Sequence, residues 1–203
     1  MKKFKKLKIA ALALVTTVSL FTFQPPAETE AASTTHTVYS GDTLWKISNR
    51  YGVGLNALRE ANNQSGNMIY VGQKLVIPQS IISESDKDLL ARLVSAEAKG
   101  EPYAGKVAVA TVILNRLDHP DFPNTVKEVI YQIDQGHYAF TPVQNGTIYQ
   151  PADAESKKAV YEALAFRGQG NGSIYFYNPN TSTSSWIYSR TTTVTIGNHR
   201  FAK

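Results

Sequence analysis

The hydrophobic pattern changes character several times along this chain. Behind five lysines (Lys2, Lys3, Lys5, Lys6, Lys8) comes an apolar run from Ile9 to Phe23, closed by Pro25-Pro26 and the small pair Ala31-Ala32. Its 15 residues fall short of the ~20 that a bilayer-spanning helix needs. A positive start, an apolar middle and a small-residue end are the layout of a secretory signal peptide, residues 1–32, rather than of an uncleaved anchor. From His36 to Tyr39 the pattern alternates at period two, a strand. Ser40-Gly41-Asp42 is turn chemistry, with Asp42 placed to cap a helix whose apolar positions are Leu44, Ile47 and Tyr51. Gly52 stops that helix, and Leu55, Leu58 and Ala61 mark a second short one. Val71 to Ile77 is a strand that Pro78 ends. Residues 36–79 therefore read strand, helix, helix, strand. The segment 80–85 is polar apart from Ile81 and Ile82, a linker too short to let two bodies wander far apart.

Residues 86–203 begin with helices and end with strands. Ser85 is placed to cap a helix opened by Asp86 and Asp88, with Leu89, Leu90, Leu93 and Val94 as its stripe. Pro102 suits the start of a second helix, and its stretch 107–114 is apolar all round, as in a central helix. Thr125-Val-Lys-Glu128 is a capping box. Asp153 or Ser156 opens another helix that ends near Gly168. Residues 174–177 and 191–196 read as strands, with Gly197-Asn198 as a turn. The fold class is α+β: a small βααβ module, then a mainly helical domain with a small C-terminal β-sheet.

Composition removes several chemistries. The chain has no cysteine, which excludes thiol nucleophiles, disulfide scaffolds and cysteine zinc sites. Its four histidines (36, 119, 137, 199) show no H-x-H or H-x-x-x-H spacing, so a zinc amidase lacks its ligands and no metal is implied. There is no G-x-S-x-G elbow or phosphate-binding glycine loop. Loss of the leader takes the formal charge from +5 to +2, through five lysines and two glutamates, and leaves no concentrated basic face for nucleic acid. No cofactor is implied. An exported, nearly neutral chain without cysteine suits a bacterial surface.

One acid stands out of pattern. Extending the stripe of the helix after Ser85 by three or four residues lands on Glu97, where a core residue belongs. Burial would disfavour its charged form and raise its pKa, which suits a general acid at neutral pH. The plainer reading is a solvated helix-end glutamate. Aromatic and amide residues crowd the later loops: Tyr138, Phe140, Gln144, Asn145, Tyr175, Tyr177, Asn178, Trp186 and His199. Aromatic faces and amides suit sugar rings, although many such side chains simply fill cores.

Two resemblances give these patterns a setting. Val38-Tyr-Ser-Gly-Asp-Thr-Leu-Trp45-Lys-Ile47 and Val71-Gly-Gln-Lys-Leu-Val-Ile-Pro78, in order and spacing, resemble a LysM module. That resemblance implies binding to N-acetylglucosamine-containing glycans such as peptidoglycan, through Gly41, Asp42, Thr43 and Leu44 on one side and Ile69 on the other. The segment from Glu97 to Arg116 looks like the core motif of the spore-cortex-lytic, cell wall hydrolase family (SleB/CwlJ type). Phe122-Pro-Asn-Thr-Val126, Phe140-Thr-Pro-Val-Gln-Asn-Gly-Thr147 and Gly197-Asn-His-Arg-Phe201 continue it across residues 86–203. It implies a lysozyme-like or lytic-transglycosylase-like domain that cleaves peptidoglycan, with Glu97 as the catalytic residue. Tyr138, Phe140, Gln144, Asn145, Tyr175, Asn178 and His199 are then the substrate-binding candidates. The partner would be the glycan strand, and the location secreted, at the cell wall or spore envelope. The LysM module departs from the family's cortex enzyme, which carries a different binding domain, so vegetative wall and spore cortex both remain open as substrates.

A retaining glycosidase needs a second carboxylate about 5 Å from the acid, and an inverting one about 6.5–9.5 Å away. Glu101, Asp118, Asp121 and Asp134 are candidates, but none interrupts an apolar stripe as Glu97 does. A single-acid lytic transglycosylase needs no partner. The alternatives are a hydrolytic muramidase or glucosaminidase, and a non-catalytic peptidoglycan-binding surface protein.

Overall fold

A computed structural model describes residues 34–134 and 136–203, so the expected leader at 1–32 lies outside the described residues. In the front module, strand β1 (Thr34–Thr37) is followed by helices α1 (Leu44–Tyr51) and α2 (Leu55–Ala61), and then by β2 (Lys74–Ile77). The strands pair antiparallel, with His36 opposite Leu75. Val38 extends the pairing, accepting from Gly72 N and donating to Gln73 O. Leu44, Ile47, Val53, Leu58 and Leu75 close a small core of their own. Thr43, not Asp42, caps α1, its hydroxyl accepting from Lys46 N at 3.1 Å. Asp42 stands one residue too early. Its carboxylate turns back to accept from Tyr39 N and His36 Nε2, both at 2.9 Å. Gly52 ends the helix in the left-handed region at φ 60°.

The larger domain opens on α3 (Glu84–Glu97). Ser83, rather than Ser85, is its cap, accepting from Asp86 N at 3.1 Å. Ile82 is already buried with the stripe of α3, so only part of the segment 80–85 connects the two cores. Helix α4 (Tyr103–Asp118), capped at Pro102, is the central element, with Val109, Ala110, Val112, Ile113 and Leu114 buried. Next come α5 (Val126–Ile130), the hairpin β3 (Ile133–Asp134) and β4 (His137–Tyr138), α6 (Thr141–Gln144), a 3-10 turn (Thr147–Tyr149) and α7 (Ala154–Phe166). Helices α3, α5 and α7 surround α4. Thr125 and Asp153 cap α5 and α7 as the sequence indicates. A three-stranded antiparallel sheet completes the domain, formed by β5 (Tyr175–Tyr177), β6 (Thr192–Ile196) and β7 (His199–Ala202), with β7 in the middle and the short helix α8 (Ser185–Tyr188) between β5 and β6. The α+β class holds.

The two cores dock within one unit. Helix α1 lies against α7, with the Trp45 and Phe166 rings 6.3 Å apart. Ser80 Oγ donates to Gly52 O at 3.0 Å. Gly52 lies so close that a Cβ there would stand 3.0 Å from Lys87 Nζ and the Tyr161 ring.

Candidate active site

Glu97 is the last residue of α3, one residue before Ala98, which is fully buried. The chain then leaves the helix through Gly100, at φ +83°. Glu97 lines a cleft of about 360 Å³ with Ala96, Lys99, Thr141, Pro142, Asn145 and others. Two remote segments thus meet: the end of α3, and α6 with the loop that follows it. Burial alone raises the Glu97 carboxyl to about pKa 7, with no compensating hydrogen bond or cation. A half-protonated carboxyl at neutral pH is the condition a general acid requires.

The last turn of α3 is held from behind. Ser95 Oγ donates to Asp153 Oδ2 at 2.9 Å, and Asp153 caps α7 through Ser156 N at 2.7 Å. Lys106 of α4, itself buried, reaches Asp153 at 3.3 Å and Glu155 at 3.0 Å. This brace ties α3, α4 and α7 together two residues from Glu97.

None of the four second-acid candidates lines the Glu97 cleft. Glu101 accepts from Asn198 N at 2.9 Å and from its Nδ2 at 3.0 Å, bracing the turn between β6 and β7. Asp118 pairs with Arg167. Asp121 lies beside His119, and Asp134 sits on the exposed hairpin. No group of three or more His, Asp or Glu that could hold a metal gathers among the described residues.

Of the expected sugar contacts, Asn145 shares the cleft with Glu97. Its Oδ1 accepts from Thr147 N and Oγ1, leaving Nδ2 for a ligand. Tyr138 and Gln144 are exposed nearby in sequence but do not line the cleft. Phe140 is 4% exposed, stacked on Phe176 and beneath the Arg116 guanidinium, so it belongs to the core and offers no face to a sugar. His199 is likewise buried, its ring edge-on to Phe176 and Phe201 and its Nδ1 4.0 Å from Glu101; burial lowers its pKa. Tyr175 packs between Phe122 and Trp186. Asn178 turns its side chain onto Asn180 N. Lys99, Thr141, Thr147 and Gln150 line the cleft and were not singled out from the sequence. Three of them lie in or beside the segment 140–147, whose resemblance was legible as a block; which side chains face inward was not.

In the front module, Gly41 and Thr43 are exposed, Asp42 is tied into the His36 network, Ile69 is half-buried against the core and Leu44 is fully in it. Beside them Tyr39, Met68, Tyr70 and Val71 are apolar and exposed.

Comparison with known proteins follows the same division. Residues 100–202 match the family model described as Cell Wall Hydrolase, and residues 36–78 that of the LysM domain. The spore cortex-lytic enzyme of Halalkalibacterium halodurans is 46% identical over 119 residues, covering 59% of this chain and 35% of that protein. The chain spans less than half the length of the curated relatives it matches. Among solved structures, the catalytic domain of the germination-specific lytic transglycosylase SleB from Bacillus anthracis aligns with a TM-score of 0.56 at 42% identity, over 63% of this chain and 100% of that one. The catalytic domain of the Bacillus cereus SleB protein aligns at 0.54 and 40%, over 63% and 95%. The Cell Wall Hydrolase match begins at residue 100, past Glu97, so the case for that residue rests on the geometry of the cleft.

Proposed function

This chain belongs to the Cell Wall Hydrolase family, and from that premise we propose that it cleaves the glycan strand of peptidoglycan between N-acetylmuramic acid and N-acetylglucosamine as a lytic transglycosylase, with Glu97 as its one catalytic carboxyl. The observation that carries the reading is a desolvated carboxyl, raised to about 7, in a cleft lined by no second acid. Protonated Glu97 donates to the glycosidic oxygen as the C1–O bond breaks. The resulting carboxylate then takes the proton of the C6 hydroxyl of the same muramic acid as that oxygen closes on C1. The product is a 1,6-anhydro sugar, water is not consumed, and Glu97 ends protonated as it began. Asn145 Nδ2 and the Thr141 and Thr147 hydroxyls offer hydrogen bonds to acetamido and hydroxyl groups of the strand. The front module, residues 36–79, holds the chain on peptidoglycan, and residues 86–203 do the cutting. The site of action is the cell wall or spore envelope.

The test is mass spectrometry of muropeptides released from purified vegetative and cortex peptidoglycan. The chain releases anhydro-muropeptides, and Glu97→Gln releases none while still binding the wall. Reducing ends in place of anhydro ends would make water the acceptor and the enzyme a hydrolase. Unchanged lysis by Glu97→Gln would move the acid elsewhere.

A further inference from the structure

A second cleft, of about 520 Å³, lies where the front module meets the helical domain, and the proposed reaction makes no use of it. The rings of Trp45, Tyr103 and Tyr161 line it. Lys46 and Arg50 enter from α1, and Lys157 and Lys158 from α7. No carboxylate is among its lining residues. The acids around it already have partners, some of them in the cleft wall: Asp42 meets His36 and Arg50, Glu84 meets Lys87 and the Tyr161 hydroxyl, Asp88 meets Arg92, and Glu162 accepts from the Tyr103 hydroxyl. Asp153 and Glu155, the acids nearest in sequence to Lys157 and Lys158, are taken by Lys106. Arg50 is paired with Asp42 and the Lys46 ammonium donates to Gly41 O, so the charge left without a carboxylate among the described residues is that of Lys157 and Lys158, whose mutual repulsion an anionic ligand relieves. Aromatic faces beside them suit the apolar C–H faces of sugar rings. A polymer that offers both chemistries at once is a glycan strand with carboxylate-bearing peptides attached.

We propose that this cleft binds the carboxylates of the peptides that branch from the glycan strand, so that the protein takes up peptide-bearing strand in preference to bare glycan. The inference rests on the peptidoglycan reading above and extends it to a site that neither module forms alone. Lys157 and Lys158 supply the discriminating charge, while the module and the Glu97 cleft handle sugar in either case.

The test uses the full chain carrying Glu97→Gln, which keeps the strands intact, titrated with soluble glycan strands bearing their peptides and with the same strands after an amidase has removed them. The chain is expected to bind the peptide-bearing strand several-fold tighter, about tenfold at low salt, and to lose most of that gain near 0.5 M salt. Lys157→Gln/Lys158→Gln is expected to lose the gain and to bind bare strand as before, which also certifies that it is folded. Equal affinity for the two strands overturns the proposal, as does an equal loss on both strands in the double variant. Competition by purified wall teichoic acid, with no effect of peptide removal, overturns it in favour of phosphate as the recognised anion. Failure to bind either strand overturns the peptidoglycan reading beneath it instead.

Discussion

Glu97 shows what one misplaced polar residue costs and what it makes possible. Its carboxyl is protonated below about pH 7 and charged above it, so a reaction that begins with proton donation falls off as the pH rises through 7. The same shift acts on folding. The folded-state value lies above the ordinary 4.5, so its contribution to stability is complete below pH 4.5 and is lost as the pH rises through 7. For a half-buried group the loss is on the order of 2 kcal/mol. Glu97→Gln removes the titration while keeping the shape. It is therefore expected to melt several degrees above the parent protein at pH 8 and level with it at pH 4, as read by calorimetry. A melting difference independent of pH would mean that the carboxyl is not desolvated, and would remove the physical basis for its role as an acid. This residue was legible in the sequence because it breaks a periodic stripe. Phe140 and His199 were not, because an aromatic ring or an imidazole in a polar loop carries no sign of which way it faces. Phe140 meets Phe176 and Arg116, far away along the chain, and only the folded sheet brings them together.

At the scale of elements, capping residues announced the helices and periodicity their faces. Errors came where two hydroxyls or acids competed for one cap, as Thr43 with Asp42 and Ser83 with Ser85. The β3–β4 hairpin, α6, the 3-10 turn and α8 escaped notice because two to four residues hold less than one period of any pattern. Two of those short pieces, α6 and the 3-10 turn, build one wall of the Glu97 cleft, so the out-of-pattern acid was legible and its surroundings were not. The Ser95–Asp153–Lys106 brace is invisible for a related reason. Asp153 could be read as a cap, but its second duty, to Lys106, spans three helices. Burial pushes the Asp153 carboxyl up, yet hydrogen bonds from Ser156, Ser95 and Lys106 outweigh it and hold the pKa well below the usual range. Its depressed value means that the brace stabilises above the unfolded pKa and fails as the pH falls through the acid range. Asp153→Ala loses the cap and leaves Lys106 with Glu155 alone, an expected cost of about 2 kcal/mol in chemical denaturation at pH 7. Asp153→Asn keeps the cap and is expected to lose about half as much. Its melting temperature should vary less between pH 2 and pH 5 than that of the parent protein. Gly197 has no such latitude. At φ +56° a Cβ would collide with the Glu101 carboxylate, so Gly197→Ala is expected to destabilise by about 2 kcal/mol and to release the turn that Glu101 braces.

For the whole molecule the question is whether the proposed binding and cutting are joined rigidly or by a tether. The sequence led to the expectation of a short linker but not of the docking of α1 on α7, since a tryptophan and a phenylalanine on separate modules give no hint of one another. Phe166 lies at the end of α7, outside the larger core, and meets Trp45 without lining either cleft. Removing its ring should loosen the docking by about 1 kcal/mol and leave both cores intact. In Phe166→Ala the front module is expected to melt apart from the helical domain, turning one calorimetric transition into two, with faster proteolysis near Ile81. Activity then separates the two architectures. On short soluble glycans, where holding the strand matters little, the rate should be unchanged. On insoluble wall a rigid pair delivers the strand held by the module to the Glu97 cleft in a fixed register, and a tethered pair does not, so the rate should fall several-fold. An equal rate on both substrates would mean that the module supplies only local concentration, and that the shared interface serves stability rather than the path of the strand.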